Sequence, residues 1–111
     1  MRPTAIVATT IFEPKFMDGY ESSIRNAGRL DGTTLYVIPD RKTPASVAEA
    51  AAQARGRGFH VICPSLEEQD AFLNQLGAPL EFVPYNTDNR RNVGFLMALE
   101  AGCDVLISID D

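Results

Sequence analysis

Short β-branched apolar runs alternate with longer amphipathic stretches along nearly the whole chain, and this constrains the fold more than any other feature. A short apolar run fits a buried strand, whereas apolar residues three or four apart fit one face of a helix. Strand and helix in alternation imply βαβ units and a parallel sheet. Residues 4–10 read as a first strand, broken by Glu13-Pro14. Over residues 16–29, Phe16, Tyr20, Ile24 and Ala27 fall at helical spacing, and Gly28 and Gly32 lead into a second strand at 34–38. After Pro39-Asp40-Arg41-Lys42, Thr43 is expected to cap the next helix with Pro44 in its first turn, where a missing N–H costs nothing. The alanine-rich run 45–57 is a strong helix former, ended by Gly56 and Gly58, and 59–63 reads as a third strand. Ser65 and Glu68 match a capping box at the start of a helix over 66–76, which Gly77 closes. A short fourth strand is expected at 80–83, then Pro84-Tyr85-Asn86 and a polar loop to Asn92. A helix over 93–101 puts Val93, Leu96, Met97 and Ala101 on one face, Gly102 ends it, and 105–109 is a fifth strand. No repeat, linker or low-complexity tract interrupts the pattern. The expectation is one α/β domain over 1–111, a mostly parallel sheet with helices on both faces.

A chain of 111 residues buries a real core, about two thirds of its unfolded surface. The net charge of −5 argues against nucleic acid as a partner, because phosphate-dominated affinity needs a basic face. It does not exclude small molecules bearing phosphate, which a metal neutralises locally. No segment approaches the roughly 20 apolar residues of a membrane helix, and the first residues lack the pattern of a signal peptide. Cys63 and Cys103, beside apolar sequence and with no second pair, read as two buried free thiols, which favours a cytoplasmic location. His60 and Cys63 alone do not make a zinc site, so His60 reads as a core or edge histidine.

In a parallel sheet the strand exits share one edge. Here they offer Thr9-Thr10, Pro39-Asp40, Pro64-Ser65, Tyr85-Asn86 and Asp110-Asp111, a rim rich in oxygen. Ligands of open α/β sheets gather at that edge. Asp110 and Asp111 follow an apolar strand expected to be buried, and two carboxylates there suit Mg²⁺ or Mn²⁺, hard ions that prefer oxygen. Successive strand residues point to opposite faces, so both acids reach one ion only if the chain turns there. A third acid one residue further would restore one-face spacing as Asp-x-Asp, and the chain's stopping inside such a motif suggests a fragment of a longer protein.

Asn86-Thr87-Asp88-Asn89-Arg90-Arg91-Asn92-Val93-Gly94 sets two arginines and several amides before a helix N-terminus. That end favours anions, and arginine adds planar bidentate donation to phosphate oxygens. The plainer reading is a solvated loop whose Asn92 caps the helix. Asp40 likewise suits a ribose or a base imide N–H, or else ordinary Pro-Asp turn chemistry.

The order of these parts resembles the nucleotide-sugar-binding half of glycosyltransferases with the GT-A fold. The matching stretches are Ala5-Ile6-Val7-Ala8-Thr9-Thr10, Val37-Ile38-Pro39-Asp40, Arg91-Asn92-Val93-Gly94-Phe95-Leu96-Met97-Ala98 and Asp104-Val105-Leu106-Ile107-Ser108-Ile109-Asp110-Asp111. The run from Tyr85-Asn86 to Asp111 also looks like the corresponding stretch of reversibly glycosylated polypeptides, the plant UDP-arabinopyranose mutases. The resemblance implies a Rossmann-like sheet and a UDP- or GDP-linked sugar donor with an unknown acceptor. It also implies a Mn²⁺ or Mg²⁺ cofactor. Thr9 and Asp40 would contact the nucleoside and Arg90 or Arg91 the diphosphate, Thr10 and Asn92 would belong to the same donor-binding set, and Asp110 and Asp111 would begin the metal motif. The strand and helix over 59–76 form one βα unit more than the minimal pattern, and no catalytic base is named.

A sugar-nucleotide mutase would share this donor half. A nucleotidyltransferase would carry a glycine-rich phosphate loop where Thr10-Ile11-Phe12-Glu13-Pro14-Lys15 stands. A non-catalytic flavodoxin-like or receiver-like module is the binding alternative, but receivers carry acids at the first exit and a phosphorylated Asp at the third, where Thr9-Thr10 and Cys63-Pro64 stand.

Overall fold

A computed structural model describes residues 3–10, 16–29, 31–41, 43–77 and 91–110, with backbone only for residues 10, 16–18, 109 and 110. In chain order the elements are β1 (Thr4–Thr10), α1 (Phe16–Asn26), β2 (Thr33–Pro39), α2 (Ala45–Gly56), β3 (His60–Ile62), α3 (Leu66–Leu76), α4 (Arg91–Glu100) and β4 (Val105–Asp110). The fourth strand expected at 80–83 lies outside the described residues. So do Pro84-Tyr85-Asn86, Arg90 and Asp111.

The four strands form one sheet in the order β3-β2-β1-β4, and every described pairing is parallel. This is an α/β fold with helices on both faces. The period of two along each strand sorts its side chains. Ile6, Leu35, Val37 and Val61 meet Ile24 of α1 and Val47, Ala51 and Ala54 of α2 on one face. Ala5, Val7, Tyr36 and Ile38 meet Leu73 of α3 and Val93 and Ala98 of α4 on the other. From β1 to β3 the strands advance in one direction, and β4 then returns to the far side of β1. Right-handed crossovers require the helices to change face where that direction reverses, and they do.

Local signals set several of these boundaries. Ser65 Oγ accepts from the Glu68 N–H at 3.1 Å and Glu68 Oε1 accepts from the Ser65 N–H at 3.0 Å, the reciprocal capping box expected for α3. Donation from Ser65, its backbone N–H first and then its hydroxyl, favours the ionised Glu68 and holds its carboxyl below the ordinary value. Gly77 closes the helix at φ 74°, a left-handed conformation that glycine adopts without a side-chain clash. The cap expected from Thr43 is corrected. Pro44 is the N-cap of α2 with no side-chain bond, and the Thr43 hydroxyl instead accepts from the Asp40 N–H at 2.7 Å. A short loop directly after β2 takes up that hydroxyl before the helix begins.

The burial expected for the last strand is also corrected. β4 ends the sheet order with β1 as its only described neighbour, and Leu106 and Ile107 are 38% and 44% exposed. α4 packs mainly over β1 and β2, which leaves the apolar side chains of β4 thinly covered among the described residues. The thiols of Cys63 and Cys103 are free, as expected, but half-buried. Burial pushes the Cys63 thiol up, which keeps it protonated near neutral pH. His60 is exposed on β3, at the other end of the strand order.

One ionic cluster stands apart from any sequence expectation. Glu21 of α1 is 7% exposed and receives the Arg57 guanidinium through Nε at 3.1 Å and Nη2 at 2.7 Å. Arg25 Nη2 adds a bond at 3.1 Å from one turn further along α1. The pairing joins α1 to the turn that ends α2, and the Arg57 bonds hold the Glu21 carboxyl below its ordinary value.

Candidate functional site at the strand exits

Because the strands are parallel, their carboxyl ends open on one edge, and register fixes what stands beside what. Thr9 is paired with Ile38 of β2 on one side and with Asp110 of β4 on the other. Neighbouring strands lie about 4.8 Å apart, so the row Asp110–Thr9–Ile38 spans about 10 Å. Ile38 belongs to the face that α3 and α4 cover. Thr10 pairs with Pro39, and Asp40 follows directly.

Gly94 sets the position of α4 on this row. A Cβ built there would stand 2.6 Å from Val7 Cγ1 and 3.0 Å from Ile38 Cγ1, so only a glycine lets the helix backbone come this close. The helix starts near the exits and runs back toward the strand entries, where the Cys103 N–H reaches the Ala98 carbonyl and the Asp104 N–H reaches the Pro3 carbonyl. Its first residue, Arg91, therefore lies one turn nearer the exit edge than Gly94, about 4.5 Å along the axis. The helix N-terminus is aimed at the same edge that carries Thr9, Asp40 and Asp110.

The expected site residues sort accordingly. Thr9 is half-buried at the end of β1, and Asp40 is half-buried just past β2. Arg91 and Asn92 lie inside the first turn of α4 rather than in a preceding loop, with Arg91 half-buried and Asn92 exposed. Asn92 is thus not the cap of that helix. The backbone places positions 10 and 110 at the exits of β1 and β4, while Arg90 and Asp111 lie outside the described residues. Thr9, Asp40, Arg91 and position 110 come to one edge.

Asp40 sits in a tight turn. Its carbonyl accepts from the Thr43 N–H at 3.1 Å and its Oδ1 accepts from the Arg41 N–H at 2.8 Å, with the Thr43 hydroxyl on its own N–H. Gln69 of α3, fully buried, escaped the sequence reading. Its Nε2 donates to the carbonyls of Pro39 at 2.9 Å and Pro64 at 3.1 Å. A glutamine in a capped, charged helix reads as solvated, and only the tertiary placement of α3 buries it.

Among the described residues no group of three or more His, Cys, Asp or Glu is placed to hold a metal. By residue type, a threonine and an aspartate at the β1 and β4 exits would offer hydroxyl and carboxylate oxygens, a set that suits a hard divalent ion rather than a soft one. Among the described residues no helix is long and apolar enough to cross a membrane. No protein-family model matches the chain, and no curated protein matches it.

Proposed function

We propose that this chain is the donor-binding part of a metal-dependent glycosyltransferase of the GT-A type that uses a UDP- or GDP-linked sugar. One observation carries the proposal. Strand order reverses between β1 and β4, and at that switch point Thr9 and Asp110 stand in register on the edge toward which the start of α4 points. Crevices of this kind are where open α/β sheets take nucleotides. In this reading Thr9, Thr10 and Asp40 line the nucleoside end, and their oxygens accept from ribose hydroxyls or a base imide. Arg91 and the positive end of the α4 dipole hold the diphosphate, with Arg90 and Asn92 as the neighbouring donors in sequence. Asp110 and Asp111 hold Mn²⁺ or Mg²⁺, and a bound ion there would help neutralise the departing diphosphate. The chain's own residues bind and orient the donor, and the catalytic base and the acceptor site belong to no residue identified here.

Calorimetric titration of UDP and GDP, with and without Mn²⁺, tests the proposal. One of the two nucleotides should bind at least about tenfold tighter with the metal, and Asp110→Asn should remove that gain. Affinity indifferent to both the metal and the substitution would overturn the metal role. Failure of either nucleotide to bind would overturn the donor role itself.

A further inference from the structure

The ladder between β2 and β3 is short, and its last registered pair is Tyr36 with Ile62. Beyond it each strand carries a proline, Pro39 and Pro64, and neither can donate a backbone N–H. The two exits would thus lose their cross-strand bonds where β2 delivers Asp40 to the rim. The Gln69 amide spans this gap. Both its partners are carbonyl oxygens, so the nitrogen must face them, and one –NH₂ group supplies both donors. The side chain is fully buried, and the bond to Pro39 anchors the residue directly before Asp40. From there the Asp40 turn is closed by its bonds with Thr43 and Arg41.

We propose that Gln69 is a positioning residue for nucleoside recognition: it replaces the missing ladder between β2 and β3 and so fixes the Asp40 turn at the nucleoside end of the crevice. This rests on the donor-binding reading above. It assigns Gln69 no contact with the ligand. Its effect falls on the nucleoside half of a nucleoside diphosphate, because the carbonyls its amide nitrogen holds, Pro39 and Pro64, belong to the β2 and β3 exits, whereas the diphosphate elements sit on α4 and β4.

The test uses the full chain and Gln69→Met, which keeps the length of the side chain and removes both donors. With Mn²⁺ present, the variant should bind the preferred nucleotide, UDP or GDP, about tenfold more weakly, and inorganic pyrophosphate as the wild type does. Asp40→Asn in the Gln69→Met background should add no further loss, since residues acting through one another are not additive. Equal weakening of both ligands, unchanged nucleotide affinity or additive losses would each overturn the assignment. A wild-type measurement stands beside these should Gln69→Met fold poorly. The Gln69 side-chain amide resonances should shift on addition of the free nucleoside and stay fixed on addition of pyrophosphate, and resonances unmoved by the nucleoside would also overturn it. A wild type that binds neither UDP nor GDP defeats this inference together with the donor reading. A wild type that binds one of them, beside a Gln69→Met protein that binds it equally, defeats this inference alone.

Discussion

Two residues carry more of the fold than their types suggest. Gly94 brings α4 against β1 and β2, and the Val7 and Ile38 atoms it faces are fully buried and have nowhere to retreat. Gly94→Ala should therefore destabilise by about 1–3 kcal/mol, even though alanine is the better helix former. Denaturant unfolding measures this directly, and a variant as stable as the wild type would show that α4 can lift off the sheet. Glu21 is the other. Its carboxyl is held below the ordinary value of 4.5 by Arg57 first and then Arg25. A carboxylate with a depressed folded value adds stability that is complete above its unfolded value and is lost as pH falls through the folded one. Stability should thus decline on acidification below about pH 4.5, and Glu21→Gln should flatten part of that decline when unfolding is followed across pH. A Glu21→Gln protein with the wild-type acid profile would contradict the assigned pairing.

At the scale of elements, legibility followed locality. β1 and α3 run between the residues expected because their signals are adjacent in sequence: a β-branched run in one case, and Ser65, Glu68 and Gly77 in the other. α4 starts two residues earlier than the apolar pattern indicated, since Arg91 and Asn92 are polar and fall outside any periodicity. The place of β4 at the end of the described strand order was illegible, because strand order is decided by crossovers and an apolar strand reads the same at the centre or at the rim. The same non-locality hid Gln69, whereas the Thr43 hydroxyl was taken by Asp40, three residues back, in a local turn that competes with the helix cap. The exposure of β4 has a measurable consequence. Ile6 and Ile107 are registered partners, yet the first is 7% exposed and the second 44%. Ile6→Ala should cost about 2–5 kcal/mol and Ile107→Ala less than about 1 kcal/mol, both read from unfolding midpoints. Equal costs would mean that β4 is covered in solution.

At the scale of the whole molecule, the described strands are parallel and their order reverses between β1 and β4, so the strand exits and the N-terminus of α4 share one edge. No single motif carries the functional reading. Thr9, Asp40, Arg91 and Asp110 are far apart in sequence and reach one edge of the sheet only through register and packing. The most direct measurement of this convergence is the broadening of backbone amide resonances by Mn²⁺ in the presence of UDP or GDP. Signals of Thr9, Asp40, Arg91 and Asp110 should broaden first, while those of Thr4, Thr33 and Val105 at the opposite edge stay sharp. Broadening centred on that opposite edge, or spread evenly over the surface, would contradict a nucleotide and metal pocket at the β1–β4 switch point.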